Sequence, residues 1–164
     1  MKAVLLVSII ALFASIGFGV AGSYYERKRF FFNLLEFLKQ FKSYVNYSSI
    51  KLTEILKKEE HLGDINYKKL IKNYSLMLCS DKGFSVNELF EGISILTAQE
   101  KEDIGLFFKG LGTFDLTTQI EQIDGFYLHC NNYLQLASED AKKYGALYSK
   151  LGIIVGAFIA LIIM

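Results

Sequence analysis

Apolar and small residues recur along the last third of the chain at alternating steps of four and three residues. This seam runs through Leu116, Ile120, Ile123, Tyr127, Cys130, Leu134, Ala137 and Ala141. A heptad repeat of this kind is typical of a long helix that packs against a partner helix. The rhythm continues into residues 151–164, which carry no charged side chain and suit the hydrocarbon core of a membrane. The pattern therefore predicts one long helix with a membrane-embedded end.

A second apolar segment lies near the N-terminus. Residues 4–22 are nineteen uncharged residues, which make about 28 Å of helix, close to the thickness of a bilayer core. A cleaved signal peptide is the alternative, because the chain has a basic start and small residues near position 21. The basic cluster Arg27, Lys28 and Arg29 opposes export. We therefore favour an N-terminal transmembrane helix over residues 1–23.

Basic residues also flank the C-terminal apolar segment. Lys142, Lys143 and Lys150 precede it, on the side that faces the middle of the chain. Because basic flanks are retained in the cytoplasm, we expect residues 24–146 to form a cytoplasmic domain and residues 147–164 a C-terminal transmembrane helix. The apolar run after Lys150 makes only about 21 Å of helix. A helix that enters the membrane without crossing it therefore remains an alternative.

The middle region shows amphipathic helices and the caps that begin them. Residues 24–46 carry a wide aromatic stripe, which is typical of a helix facing a bundle core and should pair with the last helix. The other predicted elements are a helix capped by Ser48 or Ser49 to about His61, one capped by Asp64 through Leu78, a turn at 81–83, a helix capped by Ser85 over 86–96, and one capped by Thr97 over 98–111. With no proline and no strand alternation, we predict an all-α fold. It is an antiparallel bundle of about six helices flanked by N- and C-terminal transmembrane helices.

Charge and cysteine content narrow the function classes. All 17 acidic and 17 of the 18 basic residues lie between positions 24 and 150, so the middle region is formally neutral. It therefore offers no broad basic field for nucleic acid. Cys79 and Cys130 lie far apart in apolar patterns, which fits a reducing compartment better than a disulfide framework.

No residue pattern points to a catalytic, cofactor or metal site. The stretch from Lys109 to Thr113 has its glycines in the wrong order for a phosphate-binding loop. His61 and His129 lack further ligands at metal spacing, and His129 should point away from the face that carries its neighbour Cys130. We therefore expect a protein that is not an enzyme and binds no cofactor or metal.

One motif stands out as a corner before the last helix. Gly112 suits the left-handed turn that ends a helix. Asp115 suits a cap that accepts hydrogen bonds from backbone amides of the next turn. Gln119 lies one turn further, where it would brace the corner against a neighbouring helix, and Leu111 completes the motif. A tight corner between helices explains these residues better than a ligand site.

A Leu-Gly-x-x-Asp-x-x-x-Gln corner before a long helix with a membrane end resembles the stage III sporulation protein AB family. The resemblance covers nearly the whole chain, including the N-terminal span with its basic exit, the segment YSSIKLTEIL at 47–56 and YSKLG at 148–152. It implies a component of the secretion-like channel between mother cell and forespore, needed for endospore formation. The family is similar to the platform proteins of type II secretion and type IV pilus machines, which fold as compact bundles of about six helices. The resemblance implies that the protein couples a cytoplasmic ATPase to the membrane assembly and has no catalytic residues.

The resemblance also implies a location and partners. The protein would lie in the mother-cell membrane with its central domain in the cytoplasm. Its partners would be other stage III sporulation membrane proteins, a cytoplasmic secretion-type ATPase and the lipid bilayer, with self-association left open. Two alternatives remain: a generic two-span membrane adaptor, and an exported helical protein with a cleaved signal peptide.

Overall fold

The computed structural model describes residues 2–47, 51–80, 83–113 and 115–163, and within these ranges the chain forms helices and no strand. The helices are α1 (Lys2–Tyr47), α2 (Leu52–Glu59), α3 (Ile65–Cys79), α4 (Val86–Leu89), α5 (Ala98–Gly110), α6 (Leu116–Asp140) and α7 (Ala146–Ile163). A π-helical turn, Ala141–Gly145, joins α6 to α7. Counted as one helix, α6 and α7 bring the described part of the chain to six helices, and the predicted all-α fold is confirmed.

The helices form two compact units. Residues 29–135 make one, here called the bundle unit, and residues 1–28 with 136–164 make the other, here called the apolar unit. Both boundaries fall inside helices, since α1 and α6 are unbroken there. The three-part division predicted from the sequence concerns position relative to a bilayer and stays a prediction.

The core of the bundle unit is built on the aromatic stripe of α1. Its buried members are Phe30, Phe31, Leu34, Leu35, Phe37, Leu38 and Phe41. Phe37 stacks on Phe108 of α5 with ring centroids 6.2 Å apart, and Tyr74 of α3 meets the same ring edge-on at 4.8 Å. Burying one such side chain contributes about 1.5 to 3 kcal/mol relative to leaving it exposed. Aromatic side chains of α1 and α3 therefore both pack on Phe108 of α5.

Polar groups in this core are hydrogen-bonded. The Tyr74 hydroxyl donates to the backbone carbonyl of Phe108 at 2.9 Å. The Tyr67 hydroxyl donates to Glu59 Oε2 at 2.8 Å, and both of these residues are buried. Burial raises the pKa of both phenols well above the usual range, so they remain protonated donors. Removing such a donor from a buried acceptor costs about 1 to 3 kcal/mol, so this bond helps to hold α2 on α3.

Helix α1 pairs with the last helix inside the bundle unit, as predicted. The ring of Phe31 lies against that of Tyr133 with centroids 5.4 Å apart. Further along α1, Lys42 Nζ lies 2.6 Å from Asp124 Oδ1. Because later positions on α1 meet earlier positions on α6, the two helices are antiparallel.

The predicted seam of α6 is wrong at its start. Ile123 and Cys130 are buried, whereas Leu116 is exposed. Phe126, outside the seam, is buried and stacks on Phe107 of α5 with centroids 4.2 Å apart. Beyond Leu116 the seam is buried or half-buried, and the buried face is wider than predicted because α5 as well as α1 packs on α6.

The predicted caps of α3 and α5 are confirmed. The Asp64 carboxylate accepts a hydrogen bond from the Tyr67 amide at 2.7 Å. Thr97 and Glu100 bond reciprocally to each other's backbone amides and form the capping box of α5. Such caps are worth about 0.5 to 2 kcal/mol each and fix where a helix begins.

The start of α2 differs from the prediction. The helix begins at Leu52, and Lys51 precedes it without a side-chain cap. Ser48 and Ser49, the predicted caps, lie outside the described residues, as do positions 81 and 82 of the predicted turn.

The helix predicted over 86–96 is wrong in length. Helix α4 covers only Val86–Leu89, after Ser85, whose hydroxyl accepts from the Glu88 amide at 3.4 Å. Gly92 then adopts a φ of +71°, which an α-helix does not contain.

Side chains of α3 replace the missing helical hydrogen bonds. Asn73 Nδ2 donates to the carbonyl of Leu89 at 3.1 Å, and Lys69 Nζ donates to that of Gly92 at 2.9 Å. Carbonyls at a helix end must find such partners. Because the donors come from another helix, the apolar stripe of 86–96 did not reveal where α4 ends.

In the apolar unit, α1 and α7 cross at glycine backbones. A Cβ on Gly17 would lie 2.6 Å from the carbonyl oxygen of Tyr148, and one on Gly152 would lie 2.7 Å from that of Phe13. These distances are too short for any side chain. Close packing of small residues is a main source of attraction between helices in lipid.

The π turn keeps the small residues of the last helix towards α1. The buried small residues are Ala137, Ala141, Gly145, Gly156 and Ala160, and the half-buried Gly152 belongs to the same stripe. Most neighbours in this set lie four residues apart in the sequence. Because an α-helical turn contains roughly 3.6 residues, these residues would gradually rotate away from α1 along an uninterrupted α-helix. The wider π turn absorbs an extra residue, and Gly145 lies close to the ring of Tyr25.

Two helices are long and apolar enough to cross a membrane. They include Val7–Asn46 and Leu116–Ile162, and only 11% and 17% of their most apolar windows are buried. An apolar surface that the protein itself leaves uncovered is expected where lipid covers it. The two helices thus support membrane association.

The glycine crossing predicts that Gly17→Ala destabilises the full-length protein in detergent micelles. The added methyl would meet the backbone of α7, and overpacking of this kind costs about 1 to 3 kcal/mol. Gly19→Ala is the matched control, because nothing lies within 4 Å of its Cβ position. Thermal unfolding followed by circular dichroism should show a lower Tm for Gly17→Ala alone. Equal Tm values for the two variants would contradict the crossing.

Candidate functional site

A cleft between α5 and α6 is the candidate site of the bundle unit. Its volume is about 620 Å³. The residues that line it are Asp103, Leu106, Phe107, Lys109, Gly110, Thr113, Gln122, Gly125, Phe126 and His129. The stacked rings of Phe107 and Phe126 join the two helices here. The cleft is therefore an apolar depression with polar groups around it.

A large apolar side chain stands exposed in this cleft. Leu106 of α5 lines it and is 63% exposed. Gly125 of α6 lines it as well, and nothing lies within 4 Å of a Cβ placed on that glycine. Exposed apolar groups around a depression are typical of a surface that binds another molecule.

One polar group of the cleft is held by the neighbouring helix, because Asp103 accepts a hydrogen bond from the Tyr133 hydroxyl. Burial, together with this bond and the negative charge of Asp103, raises the pKa of Tyr133 to about 12. Burial also raises the pKa of the nearby Cys130 thiol far above its usual range. The phenol therefore stays protonated and keeps donating to Asp103 at neutral pH.

Metal ligation finds no support in the described part of the chain, where no group of three or more His, Cys, Asp or Glu side chains comes together. His129 is exposed while its neighbour Cys130 is buried, so the two point to different faces as predicted. Cys79 is exposed, and both cysteines are free.

The corner predicted around residues 111–119 lies at one end of this cleft. Leu111 is buried, and Gly112 has a φ of +77°, which favours glycine. Asp115 accepts hydrogen bonds from the Thr118 hydroxyl at 2.6 Å and from the Thr118 amide at 3.3 Å. The bond from the Thr118 hydroxyl, followed by that from its amide, lowers the pKa of Asp115. This is the geometry of an N-cap at the start of α6.

Gln119 is half-buried on the other side of the corner. With Gly112 it lines a small cavity that is completed by Phe41, Tyr44, Val45, Leu52 and Ile55. The corner contributes Thr113 to the cleft and Gly112 and Gln119 to the cavity shared with α1 and α2. The corner therefore lies between the cleft and the cavity that faces α1 and α2.

The basic residues predicted at the membrane exits fall into three environments. Arg27 pairs with Asp140 of α6, with Nη1 and Oδ2 2.8 Å apart. Lys142 and Lys143 are exposed on the π turn, and Lys150 is exposed on α7. The other two are the half-buried Lys28 and the exposed Arg29, neighbours of Arg27 on α1.

The cleft was not predicted from the sequence. A signal was present, because Leu106 falls outside the apolar stripe of its helix. A leucine on the polar side of an amphipathic helix is common, however. Only the packing of α5 on α6 shows that Leu106 lies at a cleft.

The corner predicts that Asp115→Ala lowers the Tm of the full-length protein, because α6 loses its cap. Asp115→Asn is the control, since an amide oxygen also accepts the bond from Thr118. The folded-state pKa of Asp115 is lowered, so its ionised form adds stability at neutral pH that is lost as the pH falls through that lowered pKa. Melting curves from pH 7 downwards should show the wild-type and Asp115→Ala curves converging. A constant difference, or none, would exclude the capping role.

Comparison with known proteins gives one match, to a protein family. Neither the curated proteins nor the solved structures include a match to this chain. The model of the family described as stage III sporulation protein AB matches residues 2–164. A match over essentially the whole chain includes the bundle, the corner and both apolar helices. The chain therefore belongs to the stage III sporulation protein AB family.

Proposed function

We propose that this protein is a non-enzymatic membrane platform in the secretion-like channel between mother cell and forespore. Family membership supports a role in stage III of sporulation. The observation that carries the finer proposal is the composition of α1 and of the last helix. Each is amphipathic within the bundle unit and apolar within the apolar unit. Helices of this kind suit a protein that anchors other components at a membrane.

The proposed work of the bundle is contact with a cytoplasmic secretion-type ATPase and with other stage III sporulation membrane proteins. The cleft between α5 and α6 is the surface we assign to such a partner. The exposed Leu106 supplies apolar area, and Asp103 and Lys109 supply charges of both signs. Apolar centres with polar surroundings are typical of protein interfaces. Helix α6 also continues through the π turn into α7, which offers a covalent route from this surface towards the membrane.

The proposed location is the mother-cell membrane, with the bundle in the cytoplasm. The basic residues Arg27, Lys142 and Lys143 favour that side. The rival hypothesis of a cleaved signal peptide is disfavoured by packing, because Gly17 contacts α7 closely and α1 is unbroken up to Tyr47. A segment with a structural partner in the folded protein is a poor candidate for removal.

A reporter inserted near Asp81, in the middle of the chain, tests the orientation. We expect a reporter that works only in the cytoplasm to be active there, because basic residues flank both apolar segments. The same reporter fused before Lys2 is the control and should be inactive. Activity of an export-dependent reporter near Asp81 would exclude the proposed topology.

Leu106→Glu tests the cleft as a partner surface. The substitution places a charge where an apolar contact is proposed, which costs far more in an interface than in water. We expect a strong loss of spore yield with an unchanged Tm, since exposed substitutions usually shift stability by less than about 0.5 kcal/mol.

The matched control is Leu76→Glu on α3. Leu76 is 59% exposed, close to the 63% of Leu106, and it lies away from the cleft residues in a different helix. This variant should fold and sporulate normally. Normal sporulation by a folded Leu106→Glu variant would remove the cleft from the proposal. Normal sporulation after deletion of the whole protein would remove the platform role itself.

A further inference from the structure

The end of the apolar unit that carries charge combines lysines with a tyrosine stack. Tyr24 of α1 stacks on Tyr144 and on Tyr148 of the last helix, with ring centroids 5.6 Å and 6.0 Å apart. Tyrosine is enriched where a membrane-spanning helix passes the headgroup layer, since its ring is apolar and its hydroxyl is polar. The stack therefore marks the level of the bilayer surface independently of any charge.

Four lysines surround this level. Lys142 and Lys143 lie on the π turn next to Tyr144, Lys150 follows Tyr148, and Lys28 lies one turn after Tyr24 on α1. Lys143 Nζ lies 5.1 Å from the centroid of the Tyr144 ring. Lys150 lies seven positions after Lys143, which is about 10 Å along the helix axis. The headgroup region on each side of a bilayer is roughly 5 to 8 Å thick, so these lysines bracket the layer that contains lipid phosphates.

The charges of this region do not cancel. Residues 26–28 and 139–150 hold five basic and three acidic side chains, which leaves a net charge of +2. Arg27 and Asp140 are already paired at 2.8 Å. In the described part of the chain, the ammonium groups of Lys142, Lys143 and Lys150 make no ion pair. The excess positive charge is thus carried by exposed lysines.

The bundle unit has the opposite balance. Residues 29–135 hold twelve basic and fourteen acidic side chains, a net charge of −2. An anionic membrane surface would therefore attract the lysines of the apolar unit and would not attract the bundle as a whole. This difference concentrates any attraction to anionic lipid on the lysines beside the tyrosine stack.

We propose that Lys142 and Lys143, with Lys28 and Lys150, form a binding site for the phosphate groups of anionic phospholipids. The proposal depends on the proposed function only for which leaflet is contacted, since the site itself belongs to the apolar unit. A lysine near an anionic surface strengthens binding roughly fivefold. Removing two of the four should therefore weaken the preference for anionic lipid by roughly ten- to thirtyfold at low salt.

The experiment measures lipid selectivity of the full-length protein in reconstituted bilayers. Spin-labelled phosphatidylglycerol and spin-labelled phosphatidylcholine are compared by the fraction that the protein surface immobilises. The wild-type protein should immobilise phosphatidylglycerol preferentially, and Lys142→Gln/Lys143→Gln should lose most of that preference. Lys142→Arg/Lys143→Arg should keep it, because the positive charges remain. Circular dichroism confirms that each variant is folded.

The matched control is Lys57→Gln/Lys58→Gln in α2. These are also adjacent exposed lysines, and Lys58 Nζ lies 5.7 Å from the ring centroid of Tyr44, as Lys143 does over Tyr144. This control should retain the wild-type preference. Equal immobilisation of both lipids by the wild-type protein would overturn the proposal, and so would an equal loss in the control.

Inorganic phosphate distinguishes a lipid site from a site for a soluble anion. At matched ionic strength, phosphate should reduce the preference no more than chloride does. A specific loss in phosphate would overturn the assignment to lipid. Neither result depends on spore formation, so failure here is distinguishable from failure of the platform proposal.

Discussion

The pairing of the first helix with the last is the contact on which the other features depend. In the bundle unit the two helices pack as they do in a water-soluble protein. Helix α1 contributes buried phenylalanines, and Lys42 forms an ion pair with Asp124. In the apolar unit it is a crossing of backbones at Gly17 and Gly152. The hydrophobic effect drives the first kind of contact, but in lipid it is weak and close packing takes over. The same two helices therefore use large residues in one unit and small residues in the other.

The π turn sets the phase of the small residues within the apolar unit. In an uninterrupted α-helix the stripe of small residues would rotate away from α1. The extra residue in Ala141–Gly145 changes that phase, so that Gly145 and Gly156 both lie against α1. It also places Lys142 and Lys143 on the surface beside the tyrosine stack.

The remaining helices complete the bundle, and polar side chains buried between them are hydrogen-bonded. Buried phenols such as Tyr67 and Tyr74 are hydrogen-bonded and neutral. Satisfied buried polar groups of this kind specify how helices pack. What the bundle exposes is an apolar cleft beside α5 and α6, and for this reason its proposed role is contact with partners.

The sequence by itself determined the features that depend on periodicity and on neighbours in the chain. The aromatic stripe of α1, the caps at Asp64 and Thr97 and the two apolar helices follow from such local patterns, and the ordered motifs indicated the family. Only the tertiary structure decided the end of α4, the cleft, the wider buried face of α6 and the glycine crossing. Lys69 and Asn73 of α3 donate hydrogen bonds to backbone carbonyls at and after the end of α4, and Phe126 stacks on Phe107 of α5. These outcomes depend on side chains that lie far apart in the chain and meet only when the helices pack.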